Sequence, residues 1–299
     1  MFERQVVYEP DEVYPLHIAA RQYWLPEFNA YADDPDALTL ILLHSTSFHK
    51  ETWQPTVEHL FERLLSSNRS LSPSACRLKV KCAWAIDCPN HGDSAQLNDE
   101  VLQRPPFYRN FGCEKYAQAV HRFLSAGAEH GAQLDFKRQK LVGIGHSLGG
   151  VAITILQNIE PLLKFSSVIL VEPMLSPQGP EAVYPLRLNL VKGAYERRDV
   201  WSTREDAHNY LKSRRRTKRW DPRILELYTK HGLRSHPGSK TLIAPYEGVA
   251  LACSRDEEVA MYRDADGATK AVADLDQVCT RIPVSVIFGD DNDFMYVGQ

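Results

Sequence analysis

The sequence has no long apolar run and no excess of positive charge. No apolar stretch approaches the roughly 18 residues that a membrane-spanning helix needs. The opening MFERQVVYEPDEVY mixes charges of both signs and lacks the apolar core of a signal peptide. The formal net charge is -3, so little positive charge is available to meet nucleic-acid phosphates. We therefore expect a soluble intracellular protein with no transmembrane segment and no nucleic-acid partner.

Paired cysteine motifs are also missing. None of the six cysteines forms a C-x-x-C pair or another zinc-like spacing, and they stand at Cys76, Cys82, Cys88, Cys113, Cys253 and Cys279. Reduced thiols in a cytosol-like compartment are the expectation, together with no metal and no cofactor. The last residues, Val297-Gly298-Gln299, carry neither a peroxisomal nor an ER-retention address.

What is present is an alternation of strands and helices. At 299 residues, 43% of them hydrophobic, the chain can bury a large core as one α/β domain with an insertion or as two domains. The alternation predicts a doubly wound, mostly parallel sheet, and it stops between residues 175 and 280. We predict residues 1–174 as the first part of the core, 175–280 as an inserted, mainly helical cap (the lid segment), and 281–299 as the second part of the core. The predicted strands cover 5–8, 16–24, Leu38–Leu43, Val80–Ile86, 141–144, 167–171 and 283–288.

The stretch KLVGIGHSLGGVAI contains the pattern G-x-S-x-G, formed by Gly145, Ser147 and Gly149. An apolar strand precedes it and an apolar, helix-length segment follows. In that context the serine stands on a strained strand-to-helix turn with its hydroxyl above the sheet. The glycines are small because the chain passes close to itself. Ser147 is thus predicted to be a nucleophile; the alternative is a serine that merely caps a helix.

Polar clusters follow four predicted strands, at the edge where doubly wound sheets bind ligands. The clusters are His44-Ser45-Thr46, 87–94, 145–149 and 289–293. In this order they resemble the α/β-hydrolase superfamily. The resemblance implies an oxyanion hole made by the backbone N–H groups of Leu148 and Thr46, with the side chains of Thr46 and Ser47 incidental to it. It also implies structural or packing roles for His44, His49 and His91.

The resemblance places the acid of the catalytic triad at either of two strand ends. One candidate is Glu172, after the sixth strand, and the other is an aspartate after Gly289, at position 290, 291 or 293. The usual spacing after such a glycine puts the acid three residues on, but that residue is Asn292. This departure favours Glu172, with Asp293 as the alternative. A purely structural interpretation of Glu172 is a salt bridge at the strand end.

The catalytic histidine of the superfamily follows an eighth strand, but the last histidine here is His236, inside the lid segment. A serine without an imidazole to take its proton is a poor nucleophile. Three explanations stay open. The chain is cut short of its last strand and helix, which we favour; or His208, His231 or His236 substitutes; or the protein is not a catalyst.

A narrower resemblance rests on EPDEVYPLHIAARQYWLP, LLHSTSFHKETW, GHSLGG and LVEPM. These stretches are similar to fungal hydrolases of toxin and secondary-metabolite biosynthesis, a group that includes the acyl-CoA hydrolase of mycophenolic acid synthesis and peroxisomal lipases. The resemblance implies a serine hydrolase acting on an ester or thioester of a lipid-like or polyketide acyl chain, in the cytoplasm or in peroxisomes. An acyltransferase using the same serine and a non-catalytic binding protein remain alternatives.

Overall fold

The computed structural model describes residues 1–70, 77–240, 243–264 and 266–290. Within these ranges, none of the helices combines the length and apolar character that a bilayer crossing needs. The strands are β1 (Phe2–Tyr8), β2 (Ile18–Trp24), β3 (Leu38–Leu43), β4 (Val80–Ile86), β5 (Lys140–His146), β6 (Phe165–Val171), β7 (Val200–Trp201), β8 (Leu233–Ser235), β9 (Val249–Leu251) and β10 (Val284–Ile287). The α-helices are α1 (Gln54–Ser70), α2 (Gly92–Leu97), α3 (Asp99–Leu102), α4 (Cys113–Ser125), α5 (Leu148–Leu156), α6 (Tyr184–Glu196), α7 (Arg204–Ser213), α8 (Pro222–His231), α9 (Arg255–Arg263) and α10 (Gly267–Cys279).

Seven of these strands form one sheet in the order β1-β2-β4-β3-β5-β6-β10. The pairs β1–β2 and β2–β4 are antiparallel, and every later pair is parallel. In the central strand, Ile41 pairs with Trp84 on one side and Gly143 on the other. Parallel strands covered on both faces are apolar throughout, and β3 reads LTLILL for that reason. The predicted doubly wound, mostly parallel sheet is confirmed.

Two cores cover the two faces of the sheet. On one face, Trp84 packs with Phe123 of α4 and with Phe136, and α5 adds a fully buried apolar helix. On the other face, Phe28 packs edge-on against Phe61 of α1, with ring centroids 4.9 Å apart. These layers hold the carboxyl ends of the parallel strands side by side at one edge of the sheet.

Between β6 and β10 the described residues form the α-helices α6 to α10, a short 3-10 helix (Pro237–Lys240) and a small antiparallel sheet in the order β7-β9-β8. The mainly helical character of the lid segment is as predicted, and the small sheet is an addition to the prediction. The polar, proline-containing stretch SSNRSLSPS at 66–74 predicts a surface loop. That prediction is wrong for residues 66–70, since α1 continues to Ser70 and the Ser66 hydroxyl donates to the Glu62 carbonyl one turn back. Residues 71–74 lie outside the described ranges. The division into three segments stays a prediction.

Candidate active site

Ser147 stands between β5 and α5 with φ 52° and ψ −117°. A positive φ is strained for a residue with a side chain, and such strain persists where the surrounding structure enforces it. The constraint here includes the Ser147 N–H, which donates to the Val171 carbonyl of β6 at 2.9 Å. The residue is half-buried. Ser147 therefore occupies the sharp strand-to-helix turn that the motif predicts.

Gly145 and Gly149 make this turn possible. A Cβ at Gly145 would lie 2.4 Å from the Gly149 carbonyl oxygen, and a Cβ at Gly149 would lie 2.3 Å from the Leu43 carbonyl oxygen. Both contacts are with backbone, which cannot move aside as a flexible side chain can. The close approach of Gly149 to the end of β3 also places the loop after β3, residues 44–49 (the 44–49 loop), beside Ser147.

The side chain of Ser147 does not cap α5, so the helix-capping alternative is not what the structure has. Two backbone donors near it are engaged: Ser147 N–H with Val171, and Ser47 N–H with the Nε2 of His91 at 3.0 Å. Among the described residues, no partner is seen for the N–H groups of Leu148 and Thr46. A helix N-terminus attracts negative charge, and Leu148 is the first residue of α5.

Buried histidines fix the 44–49 loop. His91 accepts the Ser47 N–H at Nε2, so its proton sits on Nδ1, which donates to the Asn90 side-chain oxygen at 2.6 Å. His44 accepts the Cys88 N–H at 3.0 Å. Burial lowers the pKa of His91 well below its usual value and that of His44 to about 3. Both rings therefore stay neutral acceptors, in line with the structural roles that the sequence predicts.

That the Ser47 side chain is incidental to the oxyanion hole stays a prediction, but the structure gives this side chain a partner in the lid segment that the sequence does not predict. Its hydroxyl donates to Glu258 Oε1 at 2.5 Å, and Glu258 lies on α9 of the lid segment, 211 residues further along the chain. Glu258 also pairs with Arg197. No signal in the local sequence could reveal this contact, because the two residues meet only through the fold.

Charged groups are buried beneath the 44–49 loop. The Lys50 ammonium is fully buried and lies 2.8 Å from Glu51, 3.0 Å from Asp87 and 2.7 Å from Asp93. His49 bonds the other oxygen of Glu51 at 2.8 Å. A buried charge is costly unless it is paired, and this cation has three carboxylates around it. The cluster ties the end of the 44–49 loop to the end of β4.

The predicted acid, Glu172, is exposed at the end of β6 and has φ 45°. Its N–H donates to the Ile287 carbonyl of β10 at 2.9 Å, and its carboxylate accepts the Gly289 N–H. No cation contacts it in the described ranges, so the salt-bridge interpretation finds no support there. Burial lowers the pKa of His146, and the negative charge of Glu172 opposes that shift. The alternative acid Asp293 lies outside the described residues.

The three histidines proposed as substitutes have other partners. His208 contacts the Thr229 hydroxyl at 3.4 Å, and His236 accepts the Gly238 N–H at 3.0 Å. His231 lies 3.9 Å from the buried Glu51. All histidines of the chain fall within the described ranges, and in those ranges none is hydrogen-bonded to the Ser147 hydroxyl.

Two surface cavities lie away from Ser147. One, of about 270 Å³, is bounded by Arg21, Glu58 and His231. The other, of about 420 Å³, lies between α4 and α9 and is bounded by Lys115 and Arg263. Next to His146 at the end of β5, Phe48 packs against Trp220 and Tyr228 of the lid segment, with ring-centroid distances of 5.1 and 5.9 Å. The lid segment therefore contacts the 44–49 loop directly.

The strand order, the positive φ of Ser147 and the glycine contacts at the 145–149 turn (the elbow) are those of an α/β-hydrolase fold. A model of the alpha/beta hydrolase family matches residues 40–289, more than half of the chain. The chain therefore belongs to that family.

Two fungal proteins are similar in sequence to parts of the chain. The abhydrolase domain-containing protein ACTT2-1 of Alternaria alternata is 35% identical over 126 residues, 42% of this chain and 45% of that protein. The type I acyl-CoA thioesterase mpaH of Penicillium brevicompactum is 28% identical over 206 residues, 68% of this chain and 41% of that protein. This chain thus spans less than half the length of either relative.

Among solved structures, the peroxisomal alpha-beta-hydrolase Lpx1 of Saccharomyces cerevisiae superposes with a TM-score of 0.67. The match covers 98% of this chain and 76% of that one, at 18% identity. At this identity the likeness confirms the fold and carries nothing further.

Proposed function

We propose that the protein is a serine hydrolase that cleaves an ester or thioester of an acyl chain. The observation that carries the proposal is the backbone of Ser147, strained at φ 52° on a turn that two glycines make possible. In the described ranges no partner is seen for the N–H groups of Leu148 and Thr46, which we propose as the oxyanion donors. Such donors stabilise the negative charge that develops on the substrate oxygen, and the loss of one typically costs about 3 kcal/mol.

In the proposed reaction, the Ser147 oxygen attacks the acyl carbonyl carbon. The alcohol or thiol leaves with a proton, and water then releases the acyl group from Ser147. Glu172 is the proposed acid of the triad, where it would orient an imidazole that takes the serine proton; none of the histidines in the described ranges is hydrogen-bonded to Ser147. The name of the Penicillium relative, an acyl-CoA thioesterase, supports thioesters as a substrate class. A role in fungal secondary metabolism and a cytoplasmic or peroxisomal location stay predictions.

A second candidate is a non-catalytic binding protein that keeps the same elbow. It is favoured because no imidazole is hydrogen-bonded to the Ser147 hydroxyl in the described part of the chain. Without such a base, the serine would not turn over an ester at an appreciable rate.

A fluorophosphonate probe separates the two candidates. An activated Ser147 should be labelled covalently, and Ser147→Ala should lose all labelling together with release of thiol from an acyl-CoA such as octanoyl-CoA. Ser125→Ala, in α4 and away from the elbow, is the matched control and should label like the parent chain. A parent chain that stays unlabelled would exclude the hydrolase and leave the binding protein.

A further inference from the structure

Two adjacent glutamates on α9, Glu257 and Glu258, are buried with 8% and 4% of their surface exposed. Glutamate is almost never buried to this extent without a partner. Each accepts a hydrogen bond from a residue outside the lid segment, Glu257 from Asn90 and Glu258 from Ser47. Both sets of contacts lead to Ser47.

The first route runs through Glu258. One of its oxygens accepts the Ser47 hydroxyl at 2.5 Å, and the other pairs with the Arg197 guanidinium at the end of α6. Arg197 also donates to the Ser47 hydroxyl oxygen at 3.4 Å. The ion pair offsets the cost of burying the carboxylate, which leaves one carboxylate oxygen to hold Ser47.

The second route begins at Glu257, which accepts the Asn90 side-chain N–H at 3.0 Å. Asn90 accepts from His91, and His91 accepts the Ser47 N–H. The backbone and the hydroxyl of Ser47 are therefore both held, one by way of each glutamate.

Ser47 needs such restraint because its φ is 72°. A serine in the left-handed region is strained and persists where its surroundings enforce it. Thr46 precedes it directly, and the peptide group that joins the two residues contains the Ser47 N–H and the Thr46 Cα. Holding Ser47 therefore restrains the Thr46 Cα, to which the Thr46 N–H group is attached. The donor that would face the substrate oxygen is thus held from the lid segment.

We propose that Glu258 is a positioning residue, which holds the Thr46 N–H beside Ser147 through its hydrogen bond with the Ser47 hydroxyl. This inference rests on the proposed hydrolase function. Through this hydrogen bond the position of α9 affects the oxyanion donor. Displacement of the lid segment would therefore move the Thr46 N–H away from the Leu148 N–H.

The test compares Ser47→Ala, Glu258→Gln and the double variant, with p-nitrophenyl butyrate as substrate. Ser47→Ala keeps the ion pair of Glu258 with Arg197, so the fold should persist. Because a misplaced donor weakens binding of the transition state more than binding of the substrate, we expect kcat of Ser47→Ala to fall about 10- to 100-fold with KM unchanged to within about 2-fold. Glu258→Gln retains an acceptor oxygen and should lose less, about 3- to 10-fold. Glu205→Gln, an exposed lid glutamate, is the matched control and should lose nothing.

The double variant is decisive because Glu258 should have nothing left to hold once the hydroxyl is gone. The kcat of the double variant should equal that of Ser47→Ala. The proposal would be overturned if Glu258→Gln lowered kcat by the same factor in the parent chain and in Ser47→Ala. An unchanged kcat in Ser47→Ala would overturn it as well. A parent chain without turnover or labelling would refute the proposed function instead. Hydrogen exchange then decides the positioning, since Ser47→Ala must speed exchange of the amides at 46–48, and unchanged protection would contradict it.

Discussion

On the β3 side of Ser147, the 44–49 loop rests on buried histidines, a buried lysine and two glutamates of the lid segment. On the β6 side, Glu172 is exposed, and within the described ranges its carboxylate accepts one backbone N–H, that of Gly289. Both sides lie at the carboxyl edge of the same sheet, next to the same serine. They differ in how many buried polar groups each depends on.

This difference indicates that the β3 side of Ser147 is held more rigidly than the β6 side. Buried polar networks are costly when incomplete and hold one conformation when every group is paired. A hydrogen-bond donor for an oxyanion must be fixed before the reaction, and the β3 side has that character. An acid that only orients a partner can remain at the surface. Changes on the β3 side should thus cost stability, and changes on the β6 side should spare it.

The largest effect on stability should come from Lys50→Met. Removal of the ammonium leaves Asp87 buried without its cation and leaves Glu51 with Arg21 alone, and loss of one partner of a buried ion pair typically costs about 3–5 kcal/mol. Urea unfolding measures the change. Lys79→Met, which removes a surface pair with Asp34, is the control and should cost less than about 1 kcal/mol. Equal costs for the two variants would show that the buried cluster contributes nothing special.

The next effect is a loss of stability in mild acid. Burial lowers the pKa of His44 to about 3 and that of His91 well below its usual value, so the unfolded chain binds protons that the folded chain does not. Folded pKa values below the unfolded value of about 6.5 give stability that is complete above that pH and is lost as the pH falls. For two such rings we expect the free energy of unfolding to drop by about 3–4 kcal/mol between pH 7 and pH 5.

Chemical denaturation at several pH values checks this slope. His59→Gln, at an exposed position on α1, should leave the profile as it is. A profile that is flat from pH 7 to pH 5 would mean that the histidines on the β3 side are not held neutral, and the contrast between the two sides would be lost.

The sequence predicts the frame of the site well. The bounds of β3 and β4 are those predicted from the sequence, because a strand buried on both faces is a nearly continuous apolar run, interrupted here by Thr39 and Lys81 alone. Ser147 lies at the strand-to-helix turn that G-x-S-x-G predicts, since the glycines are required by backbone contacts only a few residues away. Features set by neighbours in the chain are thus accessible from the sequence.

The supports of the 44–49 loop were not accessible in this way. Lys50 and Glu51 read as ordinary surface charges, and their burial depends on Asp87 and Asp93 in another loop. The residue pattern at 257–262 favours a helix, in agreement with α9, but nothing local distinguishes Glu258 from a solvated glutamate. Partners this far apart in sequence are brought together by the topology, and the roles of Glu172 and Ser147 stay predictions.

The smallest effect on stability should come from Glu172→Gln. Glutamine keeps an oxygen that can accept the Gly289 N–H, and the side chain is exposed, so the free energy of unfolding should change by less than about 0.5 kcal/mol. If Glu172 is the acid of the triad, hydrolysis should nonetheless fall by about 10⁴-fold, because an amide cannot stabilise the imidazolium. Unfolding and ester hydrolysis measured on the same preparation separate the two effects. A variant as unstable as Lys50→Met would show that the β6 side depends on buried pairing as much as the β3 side does, while full activity in a stable variant would remove Glu172 from the proposed triad.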